Sequence, residues 1–503
     1  MTVLAIDQGT TSTKAFLLKA DGDFSSVGNI THRQLHPASG WVEHDAEELA
    51  SNIEALIDKA VRQDPHIAGI ALANQGETVV AWDRRTKKPL YSAIVWQDQR
   101  TQPLLDGLSA DAREYTMRRT GLPLDAYFSA AKLSWLLRNV PAVARLARAG
   151  QLGLGTSDAF FIDRLTGVYA SDVTTASRTS LMDLRSCHWD AELCRIFGVP
   201  IELLPTIHPS TCLFGTVPRG QREIPIVAAM VDQQAALFGH GCRAPGETKV
   251  TFGTGSFVMM ISGALPIMGR KGMLPTVAWA LPGERCIYAL DGGDYAAGAA
   301  IEWAIELGVA KSLSDFDLPE GPSALERGLA FVPALAGLGA PYWDREASGL
   351  WIGLRQNTTG VDMRRAILEG IALRGVELIE SLGVSSERPI SIDGGLTRNA
   401  TFVRSLADML ARPVLLRDSP DLTALGAAQL GFLSLGLDLP PRREDQDRLV
   451  TPSARSAAIR SFRFVFSQAV QASRAFGNAL ADPPRDISDT PDRQASSFNE
   501  EKG

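Results

Sequence analysis

The chain of 503 residues is poor in cysteine, and its five cysteines, Cys187, Cys194, Cys212, Cys242 and Cys286, show neither C-x-x-C spacing nor pairing with histidine. An odd number scattered over such a length reads as reduced thiols, not as a disulfide framework or a zinc site. Long apolar runs are absent too. None reaches the length of a membrane span, and the basic-then-apolar pattern of a secretory signal is missing, so the cytoplasm is the expected compartment, without membrane insertion. Histidines are few and dispersed; His44, within WVEHD, is expected to be a structural hydrogen-bonder beside a helix start. There is no excess of positive charge, and a net charge of −7 argues against nucleic acid as the main partner. The P-loop pattern does not occur, nor does a G-x-G-x-x-G that opens a helix after a strand. A Walker-type ATPase and an obvious dinucleotide enzyme are thereby excluded.

What is present begins at the N-terminus, with VLAIDQGTTSTK. The apolar residues 3–6 read as a buried strand, which ends on Asp7 and turns through Gly9 into Thr10, Thr11, Ser12, Thr13 and Lys14. Such a turn offers backbone N–H groups, small hydroxyls and a cation, which is what phosphate oxygens require. An acid at the strand end can hold a metal ion. A plain strand-end turn has the same composition. The pattern recurs, however, in VTFGTGS at residues 250–256, and a third strand at 389–392 runs into Asp393, Gly394 and Gly395, with Asn399 leading into a helix. Three strand-to-glycine turns spread over both halves suggest a nucleotide held between two similar lobes.

Two domains are the natural expectation at this length. Asp45 as N-cap, Glu48 three positions on, and Leu49, Ile53, Leu56 and Ala60 at helical spacing predict an amphipathic helix with a capping box. Strands are predicted at 68–73, 79–82 and 224–230, and this alternation indicates α/β domains. Residues 241–246 read as a hinge before the second turn, and 423–436, rich in Gly and Ala, as a helix packed closely against its neighbours. The expected division is 1–242, 243–475 and a disordered tail from 476 to 503.

The motifs IDQGTTSTKA, GWVEHD, NQGETVVAWD, AIVWQDQRT, DAYFSAAKLSWLL, VDQQAALFGHG, TFGTGSFVM, VPALAGLGAPYWD and DGGLTRN, in this order, resemble the FGGY family of carbohydrate kinases, and within it the glycerol kinase pattern. The resemblance runs from residue 2 to about 465 and implies two ribonuclease-H-like α/β lobes of the actin, Hsp70 and hexokinase type, with ATP, Mg²⁺ and substrate in the cleft. A homo-oligomer, dimer or tetramer, is implied as well. Thr10, Thr11, Ser12 and Lys14 match the first phosphate loop, with Lys14 in place of the usual Arg; Thr254 and Gly255 match the second. Gly298 falls in a further nucleotide segment, Gly395 and Asn399 at the adenosine end, and Glu302 stands where the family pattern has Gln.

By the same resemblance Glu77, Trp96, Tyr127, Asp232, Gln233 and Phe257 form a polyol pocket, in which acids and an amide fix hydroxyls and aromatic faces cover carbon. Asp232, at the end of an apolar strand, is the expected general base, and it joins Asp7 near the metal. Where the glycerol kinase pattern has Arg, this chain has Gly76. The missing guanidinium is expected to open volume for a four-carbon polyol or ketose, unless water or a neighbouring side chain takes its place and glycerol remains the substrate. A left-handed backbone at Gly76 is the other reason for a glycine there. The competing reading from another class is an actin- or Hsp70-like ATPase switch.

Overall fold

A strand that is apolar on both faces belongs in the middle of a sheet, and the first strand lies there. The computed structural model describes residues 1–384, 387–442 and 447–481. Strand β1 (Thr2–Gln8) is buried along its whole length and pairs antiparallel with β2 (Ser12–Lys19), which pairs with β3 (Phe24–Thr31). On its other side β1 runs parallel to β4 (Ile67–Asn74), and β4 parallel to β5 (Arg222–Val231). The order is therefore β3-β2-β1-β4-β5, extended by the hairpin strand Thr216–Arg219. Helix α1 (Ala46–Gln63) covers one face with Leu49, Ile53, Leu56, Ile57 and Ala60, and Asp45 caps it by accepting from the N–H groups of Glu47 and Glu48.

The second lobe repeats this plan. Strand β6 (Thr248–Phe252) pairs antiparallel with β7 (Ser256–Gly263), which pairs with β8 (Ile287–Asp294). Parallel to β6 lies β9 (Ile390–Asp393), and parallel to β9 lies β10 (Val414–Leu416). The order β8-β7-β6-β9-β10 matches the first lobe strand for strand. Internal symmetry thus exists at the level of whole lobes, where the sequence shows no short repeat.

Helix α2 (Asp232–Gly239) leaves the end of β5, and in the second lobe α3 (Gly298–Glu306), α4 (Gly360–Leu382) and α5 (Ala400–Leu410) share one apolar core. Helix α6 (Leu422–Ser434) lies against the first sheet. Although it belongs to the second half of the chain, its Ala424, Ala427, Ala428 and Leu430 pack with Val3, Ala5, Ala71 and Ala73 of the first sheet. Phe238 of α2 packs with Met259, Ile261 and Trp279 of the second. The two helices cross at Gly239 and Gly426, where a Cβ on Gly426 would lie 2.6 Å from the Gly239 nitrogen and collide with the Ala235 carbonyl. Both glycines are needed for closeness, since neither has a left-handed backbone.

The link at 241–246 carries left-handed Gly241 and Gly246. It is strapped by Glu247, whose carboxylate accepts from the N–H groups of Arg243 and Ala244. Helix α7 (Arg463–Ala481) extends beyond 476, so residues 476–481, expected to begin the tail, end a helix instead; 482–503 lie outside the described residues. Since overpacking a tight backbone contact typically costs about 1–3 kcal/mol and sometimes more, Gly426→Ala is expected to lower stability by at least that amount in urea unfolding. An unchanged midpoint would show that the crossing has slack.

Candidate active site

Register builds the site. Gln8 and Val231 both pair with Asn74, so β1, β4 and β5 end at one level. Asp7, the turn Gln75-Gly76-Glu77, and Asp232 therefore emerge side by side at the carboxyl edge of a parallel sheet, where ligands of α/β folds bind. In the first turn Gly9 N–H donates to the Ser12 carbonyl, Thr11 is exposed, and the Thr10 hydroxyl accepts from the Trp96 indole at 3.0 Å. Lys14 is engaged: its ammonium lies 2.9 Å from Asp421, the N-cap of α6, and 3.9 Å from Asp7. Burial, with the charge of Asp421 next, pushes the Asp7 carboxyl well above its ordinary range, against the pull of Lys14.

Opposite, the turn between β6 and β7 leaves Thr254 exposed. Helix α3 starts on this turn: Gly298 N–H donates to the Gly253 carbonyl at 2.9 Å, and the N–H groups of Ala297 and Ala299 donate to the Thr254 carbonyl. A Cβ on Gly298 would lie 2.7 Å from the Gly253 oxygen, and one on Gly255 2.5 Å from the Asp294 oxygen, so the turn packs closely against the start of α3 at one glycine and against the end of β8 at the other. Gly395 faces open space. Asn399 is spent otherwise: its side chain caps α5 through Phe402 N–H and donates to the Phe316 carbonyl and to Asp317. Glu302 lies exposed on α3. The nucleotide residues expected from the sequence thus divide between the lobes, and Asn399 serves as a structural cap.

Between these turns lies a polar pocket with aromatic walls. The rings of Trp96 and Tyr127 stand edge to face, 5.6 Å apart, and buried Lys132 pins the Tyr127 carbonyl at 2.6 Å. Burial lowers that lysine to about 8. Phe257 enters from β7, half-buried. Gln233 receives a hydrogen bond of 2.5 Å from Lys249, a fully buried ammonium on β6 that also reaches Thr251 at 3.2 Å. Asp232, which accepts from Gln233 N–H at 2.6 Å, is raised to about 7 by burial and then by the charge of Glu77.

The motifs did not disclose Arg178, which is 3% exposed. Its Nε donates to Glu77 at 2.7 Å, its Nη2 reaches Asp291 of the other lobe at 3.0 Å, and its Nη1 is buried without a protein partner. The signal in the sequence was faint: an arginine among small residues, with no acid within four positions. Asp291 and Lys249 escaped for the same reason, since the strands that carry them look like ordinary core.

Gly76 needs two corrections. Its backbone is not left-handed. The space beside it is also not simply open, because a Cβ there would lie 3.0 Å from a methyl of Val231. His44 proves structural, bonding the Arg33 carbonyl while burial lowers it to about 4.

Two similar α/β lobes that bring glycine turns and strand-end acids together define a two-lobed α/β protein of the actin and hexokinase type. Residues 2–239 match the N-terminal domain, and 248–435 the C-terminal domain, of the FGGY family of carbohydrate kinases. The glycerol kinase of Koribacter versatilis is 39% identical over 453 residues, covering 88% of this chain and 91% of that protein. That of a Geobacter species is 42% identical over 448 residues, covering 86% and 90%. The structure of Plasmodium falciparum glycerol kinase with ADP superimposes with a TM-score of 0.85 at 30% identity, covering 94% of this chain and 98% of that one. The chain belongs to the FGGY family of carbohydrate kinases.

Removing Arg178 leaves two buried carboxylates without their cation, a change that typically costs about 3–5 kcal/mol. Glu77 is already raised above its ordinary 4.5 by burial, against the pull of Arg178. An acid whose folded pKa stands above its unfolded one loses folded-state stability as pH rises past the unfolded value. Arg178→Met should therefore unfold more easily than wild type in urea, with a deficit that widens from pH 4 to pH 7. A deficit constant with pH would remove the carboxylates as its cause.

Proposed function

We propose that this kinase transfers the γ-phosphoryl group of ATP to a terminal hydroxyl of a small polyol, with glycerol as the first substrate. One observation supports the reading: Asp232, a carboxylate raised to about 7 by burial and by the charge of Glu77, follows directly on the end of β5, level with the end of β1 and the first glycine turn. Such a group is poised to take the hydroxyl proton at neutral pH, as a general base must. Glu77, steadied by Arg178, and Gln233, steadied by Lys249, hold hydroxyls, while Trp96, Tyr127 and Phe257 cover the carbon chain. Thr10, Thr11 and Ser12 on one lobe and Thr254 and Gly255 on the other present hydroxyls and N–H groups to the phosphates, and Gly298, Gly395 and Glu302 border the nucleoside.

Among the described residues no cluster of three or more His, Cys, Asp or Glu forms a metal cage. Mg²⁺ is commonly held by one or two carboxylates together with substrate phosphates. Asp7 and Asp232 fit that part, since both lie at strand ends on one level of the sheet and the surroundings of each raise its carboxyl above the ordinary range. The metal would supply neutralisation of charge on the transferred group. Among the described residues no helix is long and apolar enough to cross a membrane. Residence in the cytoplasm and assembly as a dimer or tetramer complete the proposal, the latter to be read by light scattering.

A second reading, a four-carbon polyol or ketose as substrate, is favoured by the buried Arg178 Nη1, which has no protein partner and can meet a further hydroxyl. An ADP-release screen across glycerol, erythritol, threitol, erythrulose, dihydroxyacetone and pentitols decides between them. The ATPase-switch alternative gives way to the family assignment.

Two further outcomes are expected. Asp232→Asn should lower turnover by roughly 10²–10⁴ while ATP still binds, and in the wild type kcat/KM should fall about tenfold per unit below pH 7. A flat profile from pH 5 to 8 would displace Asp232 as the base. Gly76→Arg alone should lose activity by pressing on Val231; combined with Val231→Gly it should raise the glycerol kcat/KM above that of Val231→Gly alone by about tenfold, the worth of one charge-assisted hydrogen bond. A double variant that gains nothing would detach Gly76 from substrate choice.

A further inference from the structure

Cys187 and Cys286 are 99 residues apart in the chain and belong to different lobes, yet their sulfur atoms lie 3.5 Å apart. Cys187 closes the turn that follows Asp183, with a left-handed backbone at φ 57°; Cys286 immediately precedes β8. Both are half-buried and border a cavity of about 460 Å³ whose rim includes Arg185, Ser186, Pro266 and Arg285. That space admits a molecule the size of peroxide. Tyr288 holds the pair in place, its hydroxyl donating to the Leu184 carbonyl at 3.0 Å and lying 3.7 Å from the Cys187 sulfur. None of these residues takes part in the phosphoryl-transfer site.

We propose that Cys187 and Cys286 form a peroxide-reactive dithiol that closes into a disulfide between the two lobes. The two thiols are unequal, as a nucleophile and a resolving thiol should be. The hydrogen bond from Cys286 lowers Cys187 to about 7, helped by Tyr288 and by the charge of His188, while burial and Asp183 oppose. Cys286 is pushed upward by its partner and by burial. The exposed Arg185 and Arg285 add positive charge at the mouth.

In the first step the Cys187 thiolate attacks hydrogen peroxide: an S–O bond forms, the O–O bond breaks, and the departing hydroxide takes a proton to become water. In the second, the Cys286 sulfur displaces the sulfenic oxygen: the S–S bond forms, the S–O bond breaks, and a second water leaves with the Cys286 proton. Two thiols are oxidised and one peroxide is reduced to two waters. The sulfurs must approach to about 2 Å, a small shift for a residue on an exposed turn. The new bond adds a covalent tie between the lobes to the Arg178–Asp291 ion pair. The pocket wall can then no longer part, and turnover that needs lobe movement slows.

The test is peroxide titration of the intact enzyme, followed by mass spectrometry of proteolytic peptides and by the coupled kinase assay with and without dithiothreitol. The expected result is a linked Cys187–Cys286 peptide, consumption of two of the five free thiols, and a fall in turnover of about tenfold or more that dithiothreitol reverses. Cys187→Ser and Cys286→Ser should retain basal activity and resist peroxide. Absence of the linked peptide at full thiol consumption would overturn the site. A linked peptide with unchanged turnover would overturn its control over lobe movement. The peptide readout needs no folded variant, and it stands whatever polyol the kinase prefers.

Discussion

The close crossing of α2 and α6 governs the rest of the molecule. At Gly239 and Gly426 two helix backbones meet without any side chain between them, and each helix packs on the sheet of the lobe to which it does not belong by sequence. The separation of the two sheets, and hence of their strand ends, follows from this contact. Contacts across the cleft share this framework: Arg178 reaches Asp291 at 3.0 Å and Lys249 reaches Gln233 at 2.5 Å. Hydrogen bonds weaken steeply beyond their narrow range, whereas apolar packing yields gradually. The polar site is therefore the first part of the molecule to register a change at the glycines.

Charge in the cleft is distributed so that proton affinities differ. Asp7, Glu77, Asp232 and Asp393 all lie near Lys14, Arg178 or Lys249, but each carboxylate meets a different balance of burial and cation. Asp232 has burial and the negative charge of Glu77 against it and holds its proton up to about 7. Asp393, half-buried, is raised by desolvation, yet His240 and Lys249 bring it below its ordinary value. Environments that separate like groups in this way assign roles to acids of the same chemistry. Asp421 joins two tasks, capping α6 and holding Lys14, so the helix at the crossing is tied to the first phosphate turn.

Much of the fold was legible because it rests on local rules. The apolar run at residues 3–6, the capped stripe of α1 and the strand-to-glycine turns each announce themselves within a dozen residues. The ordered motifs then named the family. Residues whose role depends on distant partners were hidden. Arg178 meets Glu77 and Asp291 across separations of 101 and 113 positions, and nothing near it in the chain marks it. Asn399 sits in a telling motif, and only the structure shows that its side chain also caps α5 and bonds the loop at Phe316.

By itself the sequence determined the two-lobed α/β architecture, the three turns and the identity of the acids at the strand ends, because periodicity and turn chemistry operate over short stretches of chain. Only the tertiary structure decided that α6 packs on the opposite lobe, that Val231 shares the space beside Gly76, that Arg178 is the pocket's cation and that Cys187 faces Cys286. These are contacts between segments far apart in sequence, chosen by packing and by the need to pair buried charge, and such choices are made only once the whole chain has closed on itself.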